Sequence, residues 1–210
     1  MLPKKIQEKG ILARIFEKGI EILLKKECQN IGKFEIDIVA SSIEIIKGKV
    51  KKIEIIASDV TYKDLIFDKI ELESNNIKVI LKVTNNTLDF KNNFMIDFKI
   101  SLSEKSLRKV LLSNNWNWIG NMISKEMLNQ EKLEDLQIRN DKLLIKASKN
   151  NRNFSILEEV YIKKEYGKLY LKNKAFNKSI KIPIEDKVCI KDINIKNNII
   201  NIFANSSISF

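Results

Sequence analysis

Hydrophobic and polar residues alternate along most of this chain, most clearly where the stretch 94–127 begins. Apolar side chains occupy every second position there, which is the period of a half-buried β-strand; they are Phe94, Ile96, Phe98, Ile100 and Leu102. Ser103 follows as a candidate helix N-cap, and apolar residues then recur at helical spacing with a break of asparagines around Trp116. The pattern predicts a strand that leads into a helix pair, residues 103–127, packed across its own sheet.

A second helical pattern occupies residues 3–29. Its apolar positions keep helical spacing and are Ile6, Ile11, Leu12, Ile15, Phe16, Ile20, Leu23 and Leu24. Lysine and glutamate fill the other face, which predicts an amphipathic helix. Such a helix either docks on the core, or lies in a membrane surface or along a lipid groove.

Strand-like alternation fills the rest of the chain, with a turn signal every few residues between strands. The predicted turns include Lys47-Gly48-Lys49, Asn75-Asn76, Asn140-Asp141, residues 165–168 and Asn197-Asn198. A one-sided antiparallel sheet must be covered by helices or curl on itself. We therefore predict an α+β fold, with a long curved antiparallel sheet wrapped around the N-terminal helix and the central helix pair. No linker separates the strand blocks, so residues 1–30 are expected to pack as a helix on a single domain, 31–210.

The composition argues against catalysis. The chain has no histidine, which removes the commonest general base and the commonest metal ligand. Cys28 and Cys189 are far apart and predict free thiols, although a disulfide stays possible. No phosphate-binding loop or metal-binding pattern occurs. We expect a protein that is not an enzyme and uses no metal or cofactor.

Charge and hydropathy bear on partners and location. The formal net charge is +11, which attracts anionic partners. No segment has the roughly 18–20 uninterrupted apolar residues of a transmembrane span, and the N-terminal sequence lacks the apolar core of a signal peptide. A cytoplasmic or peripheral membrane location is expected.

Two groups of residues are candidates for surface contacts. Residues 166–184 contain five lysines and no acidic residue, namely Lys168, Lys172, Lys174, Lys178 and Lys181. They form a solvated strand edge, an anionic membrane contact or a nucleic-acid contact. Trp116 and Trp118 are either aromatic anchors at a helix corner or a rim where water meets lipid.

The order of these parts resembles the LmeA-like phospholipid-binding family of actinobacteria and cyanobacteria, which is related to the tubular lipid-binding superfamily. The resemblance covers residues 23–203. It is carried by Gly48 in a short turn, by IIASDVTYKDLIFDKIELES, by MIDFKISLSEKSLRKVL, and by the strand motifs LKVTNN, KLLIKAS and GKLYL. Known members are not enzymes, and most are exported or membrane-associated.

The resemblance implies a groove between helices and a curved sheet that holds phospholipid acyl chains, with a role in lipid transfer or in membrane or envelope maintenance. The expected groove residues are Ile15, Phe94, Ile96, Phe98, Leu107, Leu111, Ile119, Met122 and Ile123. The expected membrane or head-group contacts are Trp116, Trp118, Lys172, Lys174 and Lys178. Two alternatives stay open: a basic nucleic-acid-binding module, and a structural interaction protein with no ligand.

Overall fold

The computed structural model describes residues 10–82, 87–148, 155–173, 175 and 177–209. The helices in this part of the chain are α1 (Ile11–Glu27), α2 (Ser42–Ile46), α3 (Glu104–Leu111) and α4 (Asn117–Leu128). The first strands are β1 (Lys33–Val39), β2 (Lys49–Tyr62), β3 (Leu65–Lys82), β4 (Thr87–Phe90) and β5 (Phe94–Ser103). After α4 come β6 (Lys132–Arg139), β7 (Lys142–Ser148), β8 (Ser155–Glu165), β9 (Lys168–Asn173), β10 (Lys178–Lys181), β11 (Val188–Lys196) and β12 (Ile199–Ile208). The predicted α+β class with mainly antiparallel strands is confirmed.

The strands divide between two sheets, where the sequence had suggested one. A seven-stranded sheet has the order β1-β2-β3-β5-β12-β11, with β4 paired to one end of β3. A five-stranded sheet has the order β10-β9-β8-β7-β6. Every pairing among the described strands is antiparallel, the arrangement that a tight hairpin turn such as the one between β6 and β7 produces. The last two strands cross back to the first sheet, where β12 pairs with β5.

Helix α1 covers one end of the seven-stranded sheet. Phe16 is fully buried and Ile20 nearly so, and both pack against Ile38, Ile53 and neighbouring strand residues. We call the sheet face beneath α1 the inner face. Burial of this helical stripe removes large apolar side chains from water, each contributing about 1.5–3 kcal/mol.

The other end of the inner face is covered by α3, α4 and the five-stranded sheet. Ile123 and Met127 of α4 pack there against Leu136, Ile145 and the Ile200 side chain of β12. Helix α4 contacts β6, β7 and β10, and therefore touches both edge strands of the five-stranded sheet. In the described part of the chain, no helix is both long and apolar enough to cross a membrane.

Two local predictions were wrong or incomplete. Asn75-Asn76 is not a turn, because β3 continues through both residues. Asn76 instead adopts a positive φ of 55° inside the strand, a conformation that asparagine tolerates better than most residues. The short helix α2 was not predicted. It is fixed by a capping box in which Ser41 and Glu44 bond each other's backbone N–H groups.

Candidate functional site

An open depression with a volume of about 1710 Å³ lies on the inner face, between α1 and the edge strand β11. Residues of α1 form one wall, and strands β1, β2, β3, β5 and β12 form the floor. Typical ligand pockets have volumes of about 300–1,000 Å³. The depression is therefore large enough for a ligand of lipid size.

The floor carries a cross-strand row of five apolar side chains. Ile36 of β1 is paired with Ile55 of β2, and Ile55 is paired with Leu72 of β3. Leu72 is in turn paired with Phe98 of β5, and Phe98 with Ala204 of β12. With about 4.8 Å between neighbouring strands, the row is about 19 Å long. All but Ala204 are only half-buried, so the floor presents apolar surface to the depression.

This row bridges two packed clusters. At one end, Ile36 and Ile55 pack beside the cluster under α1. At the other end, Ala204 is buried in a separate cluster, against which Phe98 packs. Leu72 lies between the two clusters. The inner face is therefore covered at its ends and least covered at its middle, which is where the depression lies.

Two cationic side chains border the apolar floor from opposite sides. Arg14 is exposed on α1, and Lys191 is exposed on β11. Lys191 is the extra residue of a β-bulge, because the pairing register shifts between Ile190 and Asp192. The Lys164 ammonium donates a hydrogen bond of 3.1 Å to the Lys191 carbonyl. Bulges redirect side chains relative to the regular pleat, and this one places a lysine at the rim.

An anionic side chain lies at the α2 end of the depression. The Ser41 backbone N–H donates to the Glu44 carboxylate at 2.8 Å, and the Lys51 ammonium lies 3.0 Å from the same group. The Ser41 N–H, followed by Lys51, lowers the pKa of Glu44 to about 2. Glu44 therefore stays charged at neutral pH, and its charge is balanced by Lys51, which also lines the depression.

The outward-facing positions of the seven-stranded sheet, which alternate with the floor row, form an acidic row whose residues also border the depression. Pairing aligns Asp37 with Glu54, Glu54 with Glu73, and Glu73 with Asp97. Lys52 bridges the two glutamates at 2.8 and 3.1 Å. Although the chain has a net charge of +11, this face disfavours contact with an anionic surface.

Most of the predicted groove residues on α3 and α4 are packed in the core. Leu111 and Ile123 are buried members of the cluster beneath the five-stranded sheet, and Leu107 and Ile119 pack against that cluster. Met122 is half-buried. Apart from Met122, these side chains belong to or pack against one cluster that includes residues of both sheets. Among the described residues, none of the five lines the depression.

The other predicted groove residues are spread along the inner face. Phe98 lines the depression. Phe94 packs beside the cluster under α1, with its ring 5.1 Å from the ring of Phe90. Ile96 is half-buried on β5, and Ile15 is half-buried on α1. The structure thus brings one predicted residue, Phe98, to the depression.

The tryptophan pair lies at the corner between α3 and α4. The Trp116 indole N–H donates to the Lys63 carbonyl at 3.0 Å, which fixes the corner to the β2–β3 turn. The Trp118 ring lies 6.5 Å from the Trp116 ring and is 49% exposed. Leu112, the C-cap of α3, is 39% exposed. The corner therefore presents apolar and aromatic surface to solvent.

The predicted lysine contacts are far from this corner. Lys172 lies on β9 and pairs with Glu165. The Lys178 ammonium donates a 2.6 Å hydrogen bond to the side chain of Asn129, the C-cap of α4. Trp116 is the N-cap of the same twelve-residue helix, so Lys178 and Trp116 lie at opposite ends of a helix about 18 Å long. Lys174 lies outside the described residues. The predicted contacts therefore do not form one surface.

Most of the floor residues were missed from the sequence. Ile36, Ile55, Leu72 and Ala204 come from strands spread over nearly the whole chain. The alternation of apolar and polar residues showed that each of these side chains faces the inner side of a sheet. No local signal in the sequence shows which part of that face the helices leave uncovered. Arg14 and Lys191 carried no signal either, because lysines and arginines are frequent throughout.

Cys28 and Cys189 are free, half-buried thiols. No group of histidine, cysteine and carboxylate side chains in the described ranges has a geometry suited to a metal ion. Comparisons of the chain with protein-family models, with curated proteins and with solved structures gave no match.

Proposed function

We propose that this protein is a non-enzymatic lipid-binding protein that holds acyl chains in the depression between α1 and β11. The observation that supports this is the half-exposed apolar row from Ile36 to Ala204 on the floor. Each methylene group that moves from water onto such a surface contributes roughly 0.8 kcal/mol. An extended chain along a row of about 19 Å is held without specific chemistry.

Two rim cations offer contacts to the anionic head group of an amphipathic ligand, within a lining in which eight residues are acidic and four are basic. Arg14 and Lys191 border the floor from opposite sides. When either cation binds the phosphate or carboxylate of the ligand, the acyl chain of that ligand can lie along the apolar floor. A phospholipid or a fatty acid fits this division between polar rim and apolar floor.

Delivery of such a ligand needs contact with a membrane, and the α3–α4 corner has suitable chemistry. Trp118 and Leu112 are exposed there, and the Lys63 ammonium lies 5.1 Å from the centre of the Tyr62 ring on the adjoining turn. Amphipathic aromatic rings favour the head-group level of a bilayer, and lysine favours anionic lipid. We propose this corner as the membrane contact.

The resemblance to the LmeA-like phospholipid-binding family supports the same function. It implies helices held by a curved sheet, and α4 contacts both edge strands of the five-stranded sheet. The proposal departs from the resemblance in the position of the groove. It assigns the ligand to the uncovered middle of the seven-stranded sheet instead of the packed faces of α3 and α4.

Native mass spectrometry of the purified chain tests the proposal, followed by solvent extraction and lipid analysis. The expected result is a co-purifying acyl lipid, or stoichiometric uptake of a fluorescent phospholipid or fatty acid by lipid-free protein. Failure to bind phospholipid, lysophospholipid and fatty acid after delipidation would show that the depression is not a lipid site.

A further inference from the structure

The outer face of the five-stranded sheet carries tyrosines set between lysines. Backbone pairing places Tyr170 of β9 opposite Lys163 of β8 on one side and opposite Lys181 of β10 on the other. One step along the same face, Tyr161 of β8 is opposite Lys172 of β9. The side chains that alternate with them, such as Leu169 and Leu171, are buried beneath the sheet. The tyrosines and lysines therefore share the solvent side.

The lysines that flank Tyr170 have the greatest freedom to bind an external anion. Lys163 and Lys181 are both exposed. By contrast, Lys172 pairs with Glu165, and the Lys142 ammonium lies 2.9 Å from Glu159. The row Lys163–Tyr170–Lys181 thus presents an aromatic ring between two positive charges.

The two tyrosines have a spacing that suits consecutive planar groups. Because Tyr170 is opposite Lys163, it lies diagonally across from Tyr161, two residues earlier on β8. Diagonal neighbours on adjacent strands are about 7–8 Å apart. Both rings are half-buried and so held by the sheet, as in surfaces on which successive bases stack while lysines follow the backbone.

A membrane fits this face less well. Insertion into a bilayer favours protruding apolar and tryptophan side chains, and the exposed tryptophan, Trp118, lies instead at the α3–α4 corner. Duplex DNA fits less well too, because its bases are already stacked on one another and offer no ring to Tyr170. A single strand offers both an anionic backbone and unstacked bases.

We propose that this face binds single-stranded nucleic acid, with bases stacked on Tyr170 and Tyr161 and phosphates bound by Lys163 and Lys181. The site lies on a different sheet from the lipid depression, so either function can fail without the other.

Fluorescence anisotropy with labelled oligo-dT and oligo-U tests the proposal on the full chain. We expect saturable binding that weakens with salt. Tyr170→Ala is expected to weaken it about 5- to 150-fold, as loss of a stacked base does, while Tyr170→Phe retains it. Tyr166→Ala is the matched control, because Tyr166 is 98% exposed at the β8–β9 turn and outside the row.

The charge contribution is tested separately with Lys163→Glu/Lys181→Glu. Loss of two phosphate contacts is expected to reduce the log–log salt slope by about 1.4, at about 0.7 per contact for a single strand. Lys105→Glu/Lys109→Glu on α3 makes the same change in net charge away from the face and is expected to keep the wild-type slope.

Several results would overturn the proposal. They are absence of saturable binding by the wild type at 50 mM salt, equal weakening by the α3 double variant, and full binding by folded Tyr170→Ala. Binding to vesicles of anionic phospholipid is measured as the last comparison. Binding of vesicles but not oligonucleotides, lost in Lys163→Glu/Lys181→Glu, would assign the face to membranes instead. If a variant misfolds, the proposal is still tested by whether the wild-type protein binds the oligonucleotides.

Discussion

The hydroxyl of Ser103 donates a 2.9 Å hydrogen bond to the carboxylate of Asp68, thirty-five residues earlier in the chain. The Ser106 hydroxyl donates to the same carboxylate at 3.0 Å. Ser103 is also the N-cap of α3, and its oxygen accepts from the Ser106 backbone N–H. The β3 carboxylate therefore fixes the point at which β5 ends and α3 begins.

Replacement of Asp68 by alanine is expected to destabilise the fold by about 2 kcal/mol. The change leaves partly buried donors without their charged acceptor, and hydrogen bonds to charged groups contribute about 1.5–3 kcal/mol. Urea denaturation measures the loss. Asp186→Ala is the control, because the Asp186 side chain is 97% exposed, and its effect is expected to stay within about 0.5 kcal/mol. Equal stability of the two variants would contradict a structural role for the Asp68 carboxylate.

Replacement of two glycines by alanine is expected to change the stability of the fold in opposite directions. At Gly48, φ is +68° and an added Cβ would lie 2.3 Å from the Val79 carbonyl oxygen, so Gly48→Ala is expected to destabilise by more than about 1 kcal/mol. Gly19 is inside α1, and its added Cβ would meet nothing within 4 Å. Gly19→Ala is therefore expected to stabilise by about 1 kcal/mol. Thermal unfolding of both variants gives the signs, and the same sign for both would contradict this geometry.

Tryptophan at Leu111 tests the packing of the α3–α4 core. Leu111 is 7% exposed within the cluster beneath the five-stranded sheet, and overpacking such a site typically costs about 1–3 kcal/mol. Leu112 is the matched control, since it is the next residue and 39% exposed. Chemical denaturation is expected to show a loss for Leu111→Trp and a change within about 0.5 kcal/mol for Leu112→Trp. An unaffected Leu111→Trp would mean that this face of α3 is open.

The central unit could be predicted because its signals are local. Alternation from Phe94 to Leu102, a serine cap and helical spacing all lie within one stretch, and the structure has β5, α3 and α4 there with Ser103 as the N-cap. Each of these signals depends on neighbours a few residues away. The chain order of strand and helices was therefore accessible from the sequence.

The division into two sheets and the position of the depression were not accessible in this way. Leu72 and Phe98 are neighbours through a register that no local pattern specifies. Asn75-Asn76 was predicted as a turn because asparagine favours turns, whereas a long strand also accepts asparagine at a positive φ. Which strands pair across a long sequence separation depends on how many similar isoleucine-rich strands compete as partners. The hydrophobic periodicity is nearly the same in all of these strands, so it does not select one partner.

Acid is expected to weaken the contact between α2 and the sheet. The Ser41 backbone N–H, then Lys51, lowers the pKa of Glu44 from its usual 4.5 to about 2. Because the folded-state pKa is depressed, the stabilisation is complete above about pH 4.5 and is lost as the pH falls towards 2. Carboxyl-carbon NMR titration measures the Glu44 pKa directly. In Lys51→Ala, which removes the second of these two contacts, the Glu44 pKa is expected to rise, and an unchanged value would contradict this account.

The position of the lipid site is tested by a tryptophan in the centre of the floor. Leu72 is half-buried and lies between the two packed clusters, so Leu72→Trp is expected to fill the depression and block acyl-chain uptake with little loss of stability. The control is Met95→Trp on β5, because Met95 is 47% exposed and outside the depression. Uptake of a fluorescent fatty acid and thermal unfolding are measured on both variants. Blocked uptake in Leu72→Trp alone, at near-native stability, assigns the ligand to the row between Ile36 and Ala204. Normal uptake by a folded Leu72→Trp, with binding retained in the wild type, would place the lipid elsewhere in the protein.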